Sequence, residues 1–247
     1  MHAVNLSIVA PTCLDEKSLP ELLEALENFT LMSPFGVQVL VMDDGGSPRI
    51  RRWLAEASGL RPWMTVLTVP AGSGLGAELR AGAAQAAYPL VAWVASPGDR
   101  LQDLWEMRRR LMDGADLVVA GRAIFGRPPQ LAAAGGRSWR VVVRAWGSWL
   151  FSRTVRRLLD LPVADCTNCF RAFRKDALAE LSLAQDDFTV GLEMLLKADK
   201  REWEIDEIPT VNSRLDDGAG LLGMWRMGAA CVGLIVRSWL ARLSGGQ

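Results

Sequence analysis

The chain is expected to fold as an α/β protein with a mostly parallel central sheet flanked by helices. Three observations predict this. Short apolar runs alternate with helical stripes over the first 121 residues, the pattern of a parallel sheet covered on both faces. Polar clusters follow four of those runs, at Pro11 to Asp15, Asp43-Asp44, Gly72 to Gly76 and Ser96 to Asp99. Ligands of such sheets bind beyond the carboxyl ends of the strands. Half of the 247 residues are hydrophobic, which supplies the core of one large domain.

The elements follow in order. Leu6 to Ala10 is a buried strand stopped by Pro11. Ser18-Leu19-Pro20-Glu21 opens a helix with the spacing of a capping box, and Leu22, Leu23, Leu26 and Phe29 form its apolar stripe. Val37 to Met42 is the second strand, and a helix runs through Arg51, Trp53 and Leu54. Thr65 to Val69 is the third strand; the glycine-rich turn Ala71 to Gly76 leads into a helix over Ala77 to Ala87. Leu90 to Val94 is the fourth strand, Leu101 to Met112 a helix, and Asp116 to Ala120 the fifth strand. Phe125 to Gly136, with its prolines and glycines, is expected to be a mobile loop. Trp139 to Leu159 and Thr189 to Asp199 are expected helices, Phe170 to Arg174 and Trp203 to Ile208 expected strands.

Composition narrows the chemistry. Lysine plus arginine and aspartate plus glutamate each number 28, so total charge points to no polyanionic partner. Arg137 to Lys175 nevertheless holds eight arginines and one lysine against Asp160 and Asp165, a local cationic surface. Trp139, Trp146 and Trp149 lie among those arginines. That mixture suits a lipid headgroup surface and is ranked above nucleic acid, for which no motif is present. Met227 to Val236 is an uninterrupted apolar run of ten residues, whereas a spanning helix needs about 20. Residues 222–247 are therefore read as an amphipathic C-terminal extension lying on a membrane or on the protein, and residues 1–221 as the main domain. Met1 to Asn5 lacks the basic and apolar pattern of a leader, so the expected location is cytoplasmic and peripheral to the membrane. Cys166-x-x-Cys169 is read as a pair of buried thiols rather than a zinc or redox site, because the single histidine is His2. A catalytic base, where one is needed, is a carboxylate.

Four motifs carry the candidate site. Asp43-Asp44 can accept hydrogen bonds from a base or ribose, or simply make a turn. Gly72-Ser73-Gly74-Leu75-Gly76 opens a helix and can face a phosphate or permit tight packing. Glu193 is an acid among apolar neighbours, either catalytic, helix-orienting or solvent-facing. Arg214, before Gly218, suits a phosphate or the bare surface.

In order, these segments resemble family 2 glycosyltransferases, most closely the branch that makes dolichyl- or polyprenyl-phosphate sugars. Ser7-Ile8-Val9-Ala10-Pro11-Thr12-Cys13-Leu14-Asp15 is similar to the opening P-T-Y-N-E strand, and Val41-Met42-Asp43-Asp44-Gly45-Gly46-Ser47 to V-D-D-G-S. Gly74 to Gly82 resembles G-L-G-x-A-x-x-x-G, Gly114 to Arg122 resembles G-A-D-x-V-x-G-S-R, and Asp165 to Arg171 resembles D-x-T-S-G-F-R. Glu207-Ile208-Pro209 to Arg214 resembles the closing E-V-P and R-x-x-G segments. The resemblance covers about residues 4 to 221 and implies a glycosyltransferase A type fold. It also implies inverting transfer from a nucleotide-sugar donor, a UDP- or GDP-sugar, to a polyprenyl-phosphate or other lipid acceptor. It places Pro11, Asp15, Asp43, Asp44, Gly74 and Gly76 at the nucleotide, Arg122, Arg144 and Ser148 at the acceptor phosphate, and Asp99, Arg214 and Glu193 at the catalytic centre.

The departures cluster at metal and phosphate positions: Leu14 replaces the family Asn, Cys169 the motif Gly, and Gly220-Leu221 the closing Ser-Lys pair. The family's metal-binding D-x-D aligns with Ala95-Ser96-Pro97, so both aspartates are replaced and Asp99 is the remaining acid. One carboxylate is a weak site for Mg²⁺ or Mn²⁺. The leading expectation is a transferase in which arginines neutralise the leaving diphosphate. The alternatives are a catalytically impaired relative that scaffolds a protein partner, and a nucleotide-binding regulator.

Overall fold

The computed structural model describes residues 4–11, 18–94, 96, 98–122, 139–210 and 230–236; the side chains of 139–145 and 148 are outside that description. In order the elements are β1 (Leu6–Pro11), α1 (Ser18–Met32), β2 (Val37–Asp43), α2 (Pro48–Gly59), β3 (Met64–Thr68), α3 (Leu75–Gln85) and β4 (Leu90–Trp93). Then come α4 (Asp103–Met112), β5 (Leu117–Gly121), α5 (Trp139–Leu159), β6 (Arg171–Arg174), α6 (Lys175–Glu180), α7 (Val190–Lys200) and β7 (Ile205–Pro209). The strands form one sheet in the order β3-β2-β1-β4-β6-β5-β7.

The neighbours β3-β2-β1-β4 and the pair β5-β7 are parallel, while β6 runs antiparallel to both β4 and β5. The sheet is thus mostly parallel, as the sequence predicts, with one reversed strand between two parallel blocks. The carboxyl ends of β1, β2, β4 and β5 share one edge, and β6 begins there, with Arg171 opposite Trp93 and Val119.

Strand alternation divides the core in two. Leu6, Ile8 and Ala10 of β1 face a cluster with Leu22 and Leu26 of α1, Leu54 of α2 and Leu104 of α4. Val9 faces the other side, with Leu79 of α3, Val155 of α5 and Leu192 and Leu195 of α7. Ser47 caps α2 by accepting a hydrogen bond from the Ile50 amide, and Pro48 takes the first helical position, where its missing N–H costs nothing.

Part of the C-terminal extension packs on the protein: in the helical stretch 230–236, Cys231, Leu234 and Ile235 join the α3–α7 side of the core. Among the described residues no helix is long and apolar enough to cross a membrane. The sequence reading has no counterpart for the six-residue helix α6, which is too short to show a repeating apolar face. The expected loop Phe125 to Gly136 lies outside the described residues.

Candidate active site

The site is built from two groups of residues on one edge of the sheet. The first sits beyond β1 and β2. Asp43 is buried at the end of β2, and its Oδ1 accepts hydrogen bonds from the amides of Gly45 (3.2 Å) and Gly46 (3.0 Å). This one carboxylate shapes the turn that carries Asp44, so turn and site are the same feature here. Pro11 is buried at the end of β1, opposite Met42.

Helix α3 lies over this pair of strands. A Cβ at Gly82 would come within 2.6 Å of Val9 Cγ1 and 3.2 Å of Met42 Sδ, so only glycine allows the helix to sit so low. Glu78 is on the same helical face, one turn nearer the strand ends. It is 1% exposed, and its Oε2 has no hydrogen-bond partner among the described residues. Burial, and then the charge of Asp44, push its carboxyl up to about 7.

The glycine-rich turn is used for packing. Gly74 has φ 85° at the helix N-cap, and a Cβ on Gly74 or Gly76 would overlap the carbonyl oxygens of Asp186 and Gln185. The Gly76 amide donates to the Asp186 carbonyl at 2.8 Å. Arg80 Nη1 donates to the Gln185 carbonyl at 2.9 Å, and Nη2 pairs with the Asp186 carboxylate. The Gly76 amide expected at a phosphate is therefore engaged by the 184–187 segment. Glu193 holds that segment from behind: its carboxylate accepts from the amides of Ala184 (3.0 Å) and Gln185 (2.9 Å) and pairs with Lys197 at 2.8 Å. The catalytic assignment of Glu193 is corrected on this geometry: the group positions a backbone segment, because its oxygens are already taken.

The second group lies beyond β4, β5 and the start of β6. Asp99 is buried, and its Oδ2 accepts from the Ser96 amide at 2.9 Å. Arg122, just past β5, donates from Nε (2.7 Å) and Nη2 (3.1 Å) to Asp165 and from Nη2 to Thr167 Oγ1 (2.7 Å). Its Nη1 makes no hydrogen bond among the described residues. Burial disfavours the Arg122 charge, but Asp165 outweighs it and holds the guanidinium above its ordinary range, with Asp99 contributing further. Burial alone would likewise raise Asp165; Arg122 overrides it and holds the carboxyl at about 2. Glu207 of β7 accepts from the amides of Ala164 (2.7 Å) and Asp165 (3.0 Å). Arg171 is wholly buried and donates to the carbonyls of Asn168 (2.8 Å), Cys166 (3.1 Å) and Gly191. Together they fix the loop that presents Asp165.

The cysteines take no part in chemistry there. Cys166, Cys169 and Cys231 are free thiols. Burial pushes Cys166 up to about 12 and Cys231 up to about 11, and it raises Cys169 as well. All three stay protonated at neutral pH.

The described residues do not fit a divalent metal. Asp99 is the carboxylate nearest the expected position, but its Oδ2 is held by Ser96 and its neighbouring charge is the Arg122 guanidinium. Among the described residues no three His, Cys, Asp or Glu side chains gather where they could hold an ion.

The structure thus brings Pro11, Asp43 and Asp44 together at one place and Asp99 and Arg122 at another. Asp15 and Arg214 lie outside the described residues, as do the side chains of Arg144 and Ser148 on α5. Two residues were given no role of their own in the sequence reading. Asp165 was quoted only as the first residue of its motif, and Glu78 stands where G-L-G-x-A-x-x-x-G has its alanine. In each case an acid in an apolar setting was the available signal.

Comparison with known proteins agrees with this architecture. Residues 7–182 match the family model "Glycosyl transferase family 2". An uncharacterized glycosyltransferase of Mycobacterium tuberculosis is 29% identical over 203 residues, 82% of this chain and 82% of its own length. Glycosyltransferase AglJ of Haloferax volcanii is 28% identical over 187 residues, 73% of this chain and 55% of that protein. Among solved structures, glucosyl-3-phosphoglycerate synthase from Mycobacterium tuberculosis in complex with UDP superposes with a TM-score of 0.64 at 17% identity, covering 96% of this chain and 80% of that one. The same enzyme with Mn²⁺, UDP and glucosyl-3-phosphoglycerate gives 0.65 at 16%, over the same shares of each chain. At that identity the likeness shows the fold, which is of the glycosyltransferase A type.

Proposed function

We infer the reaction from one premise, that this chain belongs to glycosyltransferase family 2: it transfers a sugar from a nucleotide-sugar to a phosphate on a polyprenyl or similar lipid, at a membrane surface. Membership favours the enzyme over the scaffolding alternative. A phosphate oxygen of the acceptor attacks the anomeric carbon, the bond to the diphosphate breaks on the opposite side, and the nucleoside diphosphate leaves with the bonding electrons. The acceptor is already an anion, so no histidine is needed to activate it.

The observation that carries this reading is the half-buried Arg122, fixed by Asp165 through Nε and Nη2, at the strand ends where the sugar diphosphate would lie. A preorganised guanidinium stabilises charge developing on a leaving diphosphate without reorganising. Arg214 is proposed as its partner. No step is routed through a metal, since the described residues do not fit one. The membrane assignment is supported by helix α5. Trp146, Leu150, Arg153 and Arg157 fall on one face at helical spacing, with Trp146 48% and Leu150 59% exposed, opposite the buried Ser152, Val155 and Leu159. Apolar and cationic side chains side by side suit an anionic bilayer surface.

The test is sugar transfer to polyprenyl phosphate in vesicles, from UDP- and GDP-sugars, with Mn²⁺ or with EDTA. Transfer that persists in EDTA and falls at least about a hundredfold in Arg122→Lys supports the reading. Transfer that requires Mn²⁺ refutes metal independence, and transfer only to soluble acceptors refutes the lipid.

A further inference from the structure

The sheet has two edge strands, β3 and β7, and they are protected differently. β7 carries Asp206 and Glu207 and ends in Pro209, and Asp206 pairs with Arg110 at 2.8 Å. Charge and proline of this kind keep an edge from adding another strand. β3, Met64-Thr65-Val66-Leu67-Thr68, has neither. The Val39 amide donates to the Trp63 carbonyl and the Val69 amide to the Asp43 carbonyl, so the odd residues along β3 bond β2. The amides and carbonyls of Val66 and Thr68 therefore face away from the sheet, where no strand pairs with them among the described residues. Alongside, between β3 and α2, lies a groove of about 530 Å³. α2 lines it with Arg51, Ala55, Ser58 and Gly59, one helical face of short side chains headed by an arginine. A Cβ on Gly59 would meet nothing within 4 Å. The groove runs from Asp43 and Thr68 down to Gly59 and Met64, along the side of the sheet rather than beyond its strand ends.

We propose that this groove docks an extended, acidic segment of another protein, which joins the sheet as a strand beside β3. The main chain of Val66 and Thr68 supplies the hydrogen bonds, and alternate side chains of the incoming segment fill the groove. The charge of α2 selects the sign. Arg49, Arg51 and Arg52 stand against Glu56 alone in this helix. Arg51 and Arg52 are exposed and make no ion pair among the described residues. Asp43, the one acid of the lining, is already taken by the amides of Gly45 and Gly46. A second copy of this chain is a poorer occupant, because pairing through β3 brings an uncharged strand to Arg51. Arg51, Val66 and Thr68 have no part in the proposed transfer, so the docking does not depend on that reading.

The experiment is amide hydrogen exchange of the full chain with an end-blocked synthetic peptide of alternating valine and glutamate, and with a valine–lysine peptide as control. Fluorescence anisotropy of the labelled peptides gives their affinities. The expected result is slower exchange at the Val66 and Thr68 amides with the acidic peptide, bound at least about tenfold more tightly than the basic one. Arg51→Glu should reverse that preference. Val66→Pro should abolish binding of both peptides, because it removes an outward amide while the bonds to β2 use the odd residues. Melting temperatures check that both variants fold, and Arg51→Glu carries the test alone where Val66→Pro does not. Equal affinity for the two peptides, an unreversed preference in Arg51→Glu, or unprotected Val66 and Thr68 amides overturns acidic strand docking. So does sedimentation of the full chain as a dimer that Val66→Pro dissociates, which assigns the edge to a second copy.

Discussion

The two halves of the site are held in opposite ways. Beyond β4, β5 and β6 the charges are matched: Arg122 is bound bidentately by Asp165, Asp165 is fixed by Glu207 through its backbone, and Asp99 is tied to Ser96. Beyond β1 and β2, Asp43, Asp44 and Glu78 have no cationic partner among the described residues, and Glu78 is buried with an oxygen that none of them satisfies. The contrast teaches what each half is for. A matched network stays rigid while charge changes on a ligand. An unmatched cluster is a cost in the empty protein that a bound molecule with the right donors can remove.

Breaking the matched half should have the largest effect. Asp165→Ala strands the largely buried guanidinium of Arg122, and loss of one partner from such a pair costs about 3–5 kcal/mol. Urea denaturation at pH 7 reads it, and an unchanged midpoint would mean that Arg122 is solvated after all. The unmatched half should respond with the opposite sign. Glu78 titrates at about 7 when folded against 4.5 when free. The folded state therefore holds the extra proton between those values, and stability falls as pH rises through that window. Glu78→Ala should be more stable than the wild type by about 3 kcal/mol at pH 8, and the advantage should vanish near pH 4. Parallel stability–pH curves for the two proteins would refute the raised titration. Gly82→Ala probes the seat of α3, where a Cβ meets Val9, and should cost about 1–3 kcal/mol by overpacking. The smallest change is Glu193→Gln, expected to cost about 1–2 kcal/mol through weaker bonds to the Ala184 and Gln185 amides. Its specific signature is faster hydrogen exchange at the Gly76 amide, which donates into that segment; protection equal to wild type would separate Glu193 from the helix start.

Much of the scaffold on both sides of the site was legible in the sequence, and the reason is local. The ends of β1, β2 and β4 are marked by apolar runs that stop at Pro, Asp-Asp-Gly and Ser-x-Gly-Asp, each a signal carried by a few adjacent residues. Strand order is another matter. Phe170 to Arg174 announces a strand, but nothing in a four-residue run states that it enters between β4 and β5 pointing the other way. The glycines of Gly74-Leu75-Gly76 show the same limit. Their fit at a helix start is visible locally, whereas the choice between phosphate and packing depends on Gln185 and Asp186, more than a hundred residues along. Glu193 was ambiguous for that reason too. Glu78 is different, because its signal was local: it occupies the stripe formed with Leu75, Leu79 and Gly82, where an acid contradicts the apolar pattern.

The reversed strand has a further consequence, for how the molecule comes to exist. The edge holding Asp43, Asp44 and Glu78 is made within the first ninety-four residues, with β4 returning past β2 and β3 to pair with β1. The edge holding Asp99, Arg122 and Asp165 closes only when β6 threads between β4 and β5, joining Trp93 to Arg171. Contacts between such distant residues form slowly, because a long loop must close before anything rewards it. Until then β4 presents an open edge, a template for pairing with another chain. A ribosome releasing this protein therefore exposes a half-sheet that is sticky before its partner strands arrive.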